Sequence, residues 1–176
     1  MKRVFSTCKI FLAEKGLEAS KTSQRTTPVQ ITFKAVPYNS EGYKKCLDLR
    51  YRVLRKPEGL EFDPKKLAKD AKDNYVHILG CLPDGRHVCT AIIVFDLEAK
   101  KAQIKQVAVI QDCQGLGIGH FLDKELVRRC KEKGIKLMFC DARATARRYY
   151  ERTGYSVKGG HYYIIGIKHW YMEKSI

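Results

Sequence analysis

Val107-Ala-Val-Ile-Gln-Asp-Cys-Gln114-Gly-Leu-Gly117-Ile-Gly119-His-Phe121 decides how this chain is read. An apolar strand runs into three closely spaced glycines. Beyond them Ile118, Phe121, Leu122, Leu126, Val127 and Cys130 recur every three or four residues, which is one apolar face of a helix. Gly115, Gly117 and Gly119 allow a tight turn and a close backbone approach to a ligand. The first N–H groups of a helix have no partner within it, and the dipole is positive there. A pyrophosphate fits such a place. A dinucleotide fingerprint requires G-x-G-x-x-G on an early strand, and a P-loop requires Gly-Lys-Ser/Thr. This segment has G-x-G-x-G, late in the chain, with no such lysine. A glycine-rich turn without any ligand is the plain alternative.

The flanking sequence sets the frame. Residues 29–36 alternate apolar and polar, as a half-buried strand does. Ser40 offers an N-cap, and Tyr43, Cys46, Leu47, Tyr51 and Leu54 follow at helical spacing, up to a stop before Pro57. The charged stretch 58–73 reads as an outer loop or short helix. Residues 75–82 and 87–95 around Pro83-Asp84-Gly85 read as an antiparallel hairpin, and 102–110 as the next strand. After the 118–130 helix, Gly134 supplies a stop, 135–140 is a short apolar strand, and 142–152 a second helix. Strands at 155–158 and 162–172, joined at Gly159-Gly160, close the chain. This order predicts a mixed α/β sheet with helices on both sides, its 102–110 and 135–140 strands parallel. The domain spans 29–176, behind a polar boundary ending at Pro28.

Gln114-x-x-Gly117-x-Gly119 resembles the pyrophosphate motif of the GNAT N-acetyltransferase superfamily: Arg or Gln, two residues, Gly, one residue, Gly or Ala. The segment from Cys140 through Arg143, Ala146, Tyr149 and Tyr150 to Gly154-Tyr155 resembles that superfamily's second signature. Together with Gly166-Ile-Lys-His169, it looks like a branch of small single-domain members without assigned substrate. The likeness covers residues 29 to 172. It implies a mostly antiparallel sheet of six or seven strands flanked by helices, with the parallel pair splayed apart at the cofactor site. Many relatives carry Asn at the position of Arg143 and Phe at that of Tyr155.

The resemblance also implies a chemistry: an acetyl group passes from acetyl-CoA to a primary amine by direct attack on the thioester. The cofactor would lie against Val107, Ala108 and Val109, whose backbone pairs with the pantetheine like an added strand. Gln114, Gly115, Leu116, Gly117, Ile118 and Gly119 would cradle the phosphates, and Arg143 could reach the pantetheine arm. Tyr150 occupies the position of the acid that protonates the leaving thiolate. A lysine-like amine starts near pKa ~10.4, so something must take its proton. His169, His77, Glu61 and Asp96 are candidates, and His169 is favoured. Arg52 and Arg55, on the first helix, are placed on the acceptor side, where each could hold a carboxylate or phosphate or simply face water. A CoA-binding domain without turnover is the alternative.

Composition bounds the rest. A chain of 176 residues forms one domain with a proper core. Net charge is +15, favouring anionic partners. Nucleic acid is a further alternative, but no recognisable nucleic-acid motif is present. The seven cysteines show no C-x-x-C pair, which predicts free thiols, no metal site and a reducing, cytoplasmic setting. No stretch reaches the ~18 apolar residues of a membrane span. Residues 1–28 are basic and read as a tail, an extra helix or an organellar (mitochondrial) targeting segment; Glu14 and Glu18 count against targeting. The amine acceptor could be a small molecule or a peptide. Oligomeric state is open, a homodimer included.

Overall fold

A computed structural model of the chain describes residues 6–11 and 28–176. Eight strands form one sheet: β1 (Ser6–Phe11), β2 (Pro28–Val36), β3 (Tyr75–Cys81), β4 (His87–Asp96), β5 (Lys101–Val109), β6 (Leu137–Arg143), β7 (Ser156–Ile164) and β8 (Ile167–Ser175). Their order is β1-β2-β3-β4-β5-β6-β8-β7. Only β5 and β6 run parallel. Helix α3 (Ile118–Glu132) connects that pair, and a parallel connection needs such a crossover. The mixed sheet with one parallel pair is therefore as expected from the sequence. The eighth strand is Ser6–Phe11, which pairs antiparallel with β2 at the sheet edge. The remainder of the 1–28 segment, with the targeting expectation, lies outside the described residues.

β4 shows why helices cover both faces. Val88 to Ile93 are six consecutive buried residues, so neither side of the strand meets water. Helix α1 (Glu41–Arg50) and α3 both pack against it. Ile31, Phe33, Ile78, Ile93, Leu122, Leu126 and Met138 make the centre of the core.

Three expectations are corrected. The closing hairpin turns at Ile165-Gly166, where both residues are left-handed (φ 52° and 72°), as a two-residue hairpin loop requires. Gly159, also left-handed, lies in a bulge within β7 between Val157 and His161. The 142–152 helix is shorter than its pattern suggested. β6 runs on to Arg143, a 3₁₀ turn covers Ala144–Ala146, and α4 is Arg147–Arg152. The first helix is capped by Ser40, which accepts from Tyr43 N–H at 3.2 Å, but after Arg50 it widens into a π-turn, Tyr51–Arg55. A 3₁₀ turn carrying Pro57 and a left-handed Gly59 then end it.

The largest surprise is inside the charged stretch. Helix α2 (Pro64–Leu67), capped by Asp63, and a 3₁₀ turn at Ala68–Ala71 bring Asp70 into the interior at 4% exposure. Arg50, equally buried, donates to it at 2.6 Å, and Tyr43 O–H donates at 2.9 Å. His77 Nε2 donates to the Asp70 carbonyl at 2.9 Å. Removing one partner from a buried ion pair leaves an uncompensated charge at ~3–5 kcal/mol. We expect Asp70→Ala to lose about that much stability, read as the urea midpoint at constant m-value.

Cys46, Cys81, Cys89, Cys113, Cys130 and Cys140 are free, five of them buried. Burial pushes the Cys46 thiol up to about 11, and those of Cys130 and Cys140 up to about 12. In the unfolded chain thiols ionise near pH ~8.5. These raised native values leave stability intact below that pH and remove it as pH rises towards 11, because only the unfolded state can ionise. A urea midpoint lower at pH 10.5 than at pH 8 is the expected result.

Candidate active site

The site begins where β5 and β6 part. Their pairing joins Lys101 to Leu137, Ala102 to Met138 and Gln103 to Phe139, then ends, although β5 continues to Val109 and β6 to Arg143. A bulge in β5 coincides with the separation. Lys105 faces Ile92 and Ala108 faces Thr90, so Gln106 and Val107 together oppose Ala91 alone. Gln106 is left-handed at φ 52°. A bulge bends and twists the strand that carries it. Past Gln103, the β5 edge towards β6 has no strand beside it. Gln103 Nε2 spans the start of the opening to Asp141 Oδ2 at 2.9 Å, and Tyr162 O–H also donates to Asp141.

The strand then enters the glycine turn. A 3₁₀ turn, Gln111–Cys113, precedes Gln114, whose Nε2 donates to the Val109 carbonyl at 2.8 Å. Gly115 and Gly117 have φ of 78° and 82°, and Gly117 is the N-cap of α3. Side chains are strained in that conformation, which is why glycine stands here. The Gly117 carbonyl accepts from His120 and Phe121 N–H at 3.0 and 3.2 Å. Ile118 and Gly119 open the helix with their N–H groups free of backbone partners among the described residues. A Cβ on Gly115 would project into open space.

Gly119 also has a packing role that its spacing did not suggest. A Cβ there would stand 2.9 Å from the Tyr149 ring, and Tyr149 O–H donates to the Gly119 carbonyl at 2.9 Å. This glycine lets α4 pack closely onto the start of α3.

A cleft of ≈400 Å³ opens between the parted strands and reaches under the π-turn. It brings together Val107, Arg143, Tyr150, His169 and Arg55. Tyr150 is buried, with Tyr149 and Tyr155 edge-on at 4.9 and 5.2 Å. Burial, then the neighbouring Cys140 thiol, holds its phenol well above the usual range. His169 Nδ1 lies 2.7 Å from the Ile167 carbonyl. A carbonyl only accepts, so Nδ1 carries a proton, and in the neutral ring the lone pair is on Nε2. Arg143 donates to Glu58 at 3.1 Å and to the Leu54 carbonyl at 2.7 Å, strapping β6 to the end of the π-turn. Arg55 donates to Gln106 Oε1 at 3.3 Å.

Of the other sequence candidates, only Glu61 lines this cleft. Arg52 lines a separate cavity of ≈660 Å³ with Gln111, Asp112 and Gln114, beside the glycine turn. His77 is buried in the Asp70 network and does not line the cleft. Asp96 closes a turn by accepting from Ala99 N–H at 3.0 Å, also away from the cleft. Glu61 lines the cleft and accepts from Tyr51 O–H at 2.9 Å. Lys105, Asp141 and Arg50 line it too, and sequence reasoning assigned them nothing. For Arg50 a signal existed: it follows Tyr43 and Cys46 at helical spacing, on the buried face.

A family model for the acetyltransferase (GNAT) domain matches residues 57–176. Among solved structures, the chain is similar to an acyl-CoA N-acyltransferase from Pseudomonas aeruginosa, with a TM-score of 0.69 and 18% identity over 83% of this chain and 99% of that one. It is similar to the ribosomal-protein-S18-alanine N-acetyltransferase from Escherichia coli, with a TM-score of 0.68 and 18% identity over 83% and 94%. A GNAT family acetyltransferase from Elizabethkingia anophelis, with acetyl-CoA bound, gives a TM-score of 0.62 and 15% identity over 83% and 98%.

Filling the contact between α3 and α4 should be costly. Gly119→Ala is expected to lose about 1–3 kcal/mol, as overpacking does, because the Tyr149 ring must move. A urea midpoint unchanged from wild type would show that the ring gives way freely.

Proposed function

The chain belongs to the GNAT acetyltransferase family, whose chemistry is acyl transfer, and from that membership we propose that it transfers an acetyl group from acetyl-CoA to a primary amine by direct attack on the thioester. The observation that carries this reading is the open edge of β5, continuous with a left-handed glycine turn at the start of α3. The residues present fit the donor. Backbone groups of Val107, Ala108 and Val109 are available to pair with the amides of pantetheine. The N–H groups at the head of α3 suit its pyrophosphate. Arg52, next to Gln114 in the adjoining cavity, is better placed for the phosphate side than for the acceptor.

Acetyl-CoA supplies the acyl group as an activated thioester whose leaving group is a thiolate. The chain supplies position and protons. The β5 edge fixes the reacting carbon relative to the cleft, which lowers the entropic part of the barrier. Tyr150 holds a proton that burial keeps in place, ready for the thiolate. His169 Nε2, with its lone pair directed by the Nδ1 bond to Ile167, accepts the proton of the attacking amine. Arg143 keeps the cleft wall in register through Glu58 and Leu54 and offers its remaining N–H groups to the pantetheine arm. The acceptor is a small or peptide amine entering beside Arg55. A peptide amine is what the name of the Escherichia coli structure describes for that protein. A reducing compartment such as the cytoplasm is part of this reading, and thiols free among the described residues are consistent with it.

Calorimetry with CoA and a thiol-release assay over an amine panel test this. CoA binding without release for any amine would leave a non-catalytic CoA-binding domain. Tyr150→Phe should lower kcat by about 10²-fold or more, with little change in KM for acetyl-CoA. Because the phenol is raised, wild-type kcat should show no alkaline fall from Tyr150 up to pH ~10, where an ordinary phenol ionises. Gly117→Val should abolish the CoA-induced rise in Tm, since a branched residue cannot hold φ near 82° without strain.

A further inference from the structure

Two cations beside the β5 bulge line the cleft, where the exposed Lys69 is a third cation with no ion pair among the described residues. Lys105 immediately precedes the bulge, and Arg55 reaches it from the π-turn through Gln106. Both are half-buried. Lys105 Nζ lies 5.9 Å from the centre of the Tyr75 ring, and the Arg55 guanidinium 5.8 Å from that of Phe62. Among the described residues neither has a carboxylate within ion-pair distance. The cleft's other guanidiniums are matched: Arg50 by Asp70 at 2.6 Å and Arg143 by Glu58 at 3.1 Å.

The nearby carboxylates are engaged elsewhere. Asp70 serves Arg50 and Tyr43, and Asp141 serves Gln103 and Tyr162. Glu61 serves Tyr51, and Asp63 caps α2. Burial, followed by the nearby Arg143 and Arg50, lowers the pKa of Arg55, and burial lowers that of Lys105 against the opposing charge of Asp141. Two partly desolvated cations that no carboxylate contacts directly favour the arrival of an anion. They adjoin Val107, on the strand that the acyl-transfer reading assigns to the thioester.

Resting on that reading, we propose that the acceptor is a small amine that also carries a carboxylate, held between Arg55 and Lys105, so that amino acids are acetylated in preference to the amines left by their decarboxylation. The Arg55 fork matches a carboxylate. In the reaction, the amine nitrogen bonds to the acetyl carbon and the C–S bond breaks. The amine loses a proton to the base, and the thiolate takes one up, giving an N-acetyl amino acid and CoA.

The test compares kcat/KM within matched pairs: phenylalanine against phenethylamine, tyrosine against tyramine, lysine against cadaverine, and phosphoethanolamine against ethanolamine. The expected result is a preference for the carboxylate member of roughly 100-fold, as polar sites reject analogues lacking the bonded group. Arg55→Met and Lys105→Met should each shrink that ratio about tenfold or more, with Arg55→Lys recovering part of it. CoA affinity by calorimetry verifies that each variant is folded. A ratio near one, a preference confined to phosphoethanolamine, or CoA binding with no transfer to any pair member would overturn the carboxylate assignment. Failure to bind CoA at all would instead sink the parent reading.

Discussion

The structure depends on unpaired backbone hydrogen-bonding groups kept together at one place. A sheet normally satisfies the N–H and C=O groups of its inner strands, and leaving them open costs free energy. Here β5 is an inner strand that is paired with β6 over three residues and then released. The bulge at Gln106 and Val107 lies at the start of that release, and the glycine turn at Gly115 and Gly117 follows along the same chain segment. The free strand edge and the free helix start are thereby consecutive along the chain. An extended ligand with amides at one end and phosphates at the other can satisfy both. The acyl-CoA chemistry of the family needs such a surface.

Holding two strands apart requires support from elsewhere, and three contacts supply it. Arg143 ties the far end of β6 to Glu58 and the Leu54 carbonyl. Arg55 ties the π-turn to Gln106 in the bulge. Beneath them the Arg50–Asp70 pair, with Tyr43, fixes α1 to the turn after α2. The π-turn is common to the first two. Widening the helix over its last turn leaves the Leu54 carbonyl to Arg143 and the Arg55 side chain at the cleft, a use of π-geometry frequent at functional sites. Irregularities in two elements, the bulge and the π-turn, thus meet across one hydrogen bond.

Charge is distributed with the same logic. The +15 total says only that anions are favoured. Pairing decides where. Lysines and arginines along the helices find acids three or four residues away, as Arg128 and Arg129 do with Glu125. Arg55 and Lys105 belong to different elements and both line the cleft beside the bulge, where neither makes an ion pair among the described residues. The same sign of charge is a solvated surface in one place and, in our proposal, an acceptor pocket in another.

The sequence by itself determined the repeating and local features. Alternation marked β2 and the β3–β4 hairpin. Three-and-four spacing marked α1 and α3, and the glycines at 115 and 117 marked a turn that only glycine adopts easily. These follow from the chain's own stereochemistry, whatever lies beyond it. The paired motifs around Gln114 and Tyr150 carried the family for a similar reason: short segments with fixed local geometry. Tertiary structure decided the rest. Asp70 sits in a charged run that reads as surface, and only the approach of Arg50 from α1 makes its burial tolerable. Gly119 matches a phosphate motif, yet it is Tyr149, thirty residues on, that needs its missing side chain. Gly159-Gly160 read as a turn and became a bulge, because β8 could pair on both sides of it. Lys105 acquires meaning only once β6 has left its side. Electrostatic compensation, close packing and strand pairing are contacts between distant parts of the chain, and no local pattern records which partner will arrive.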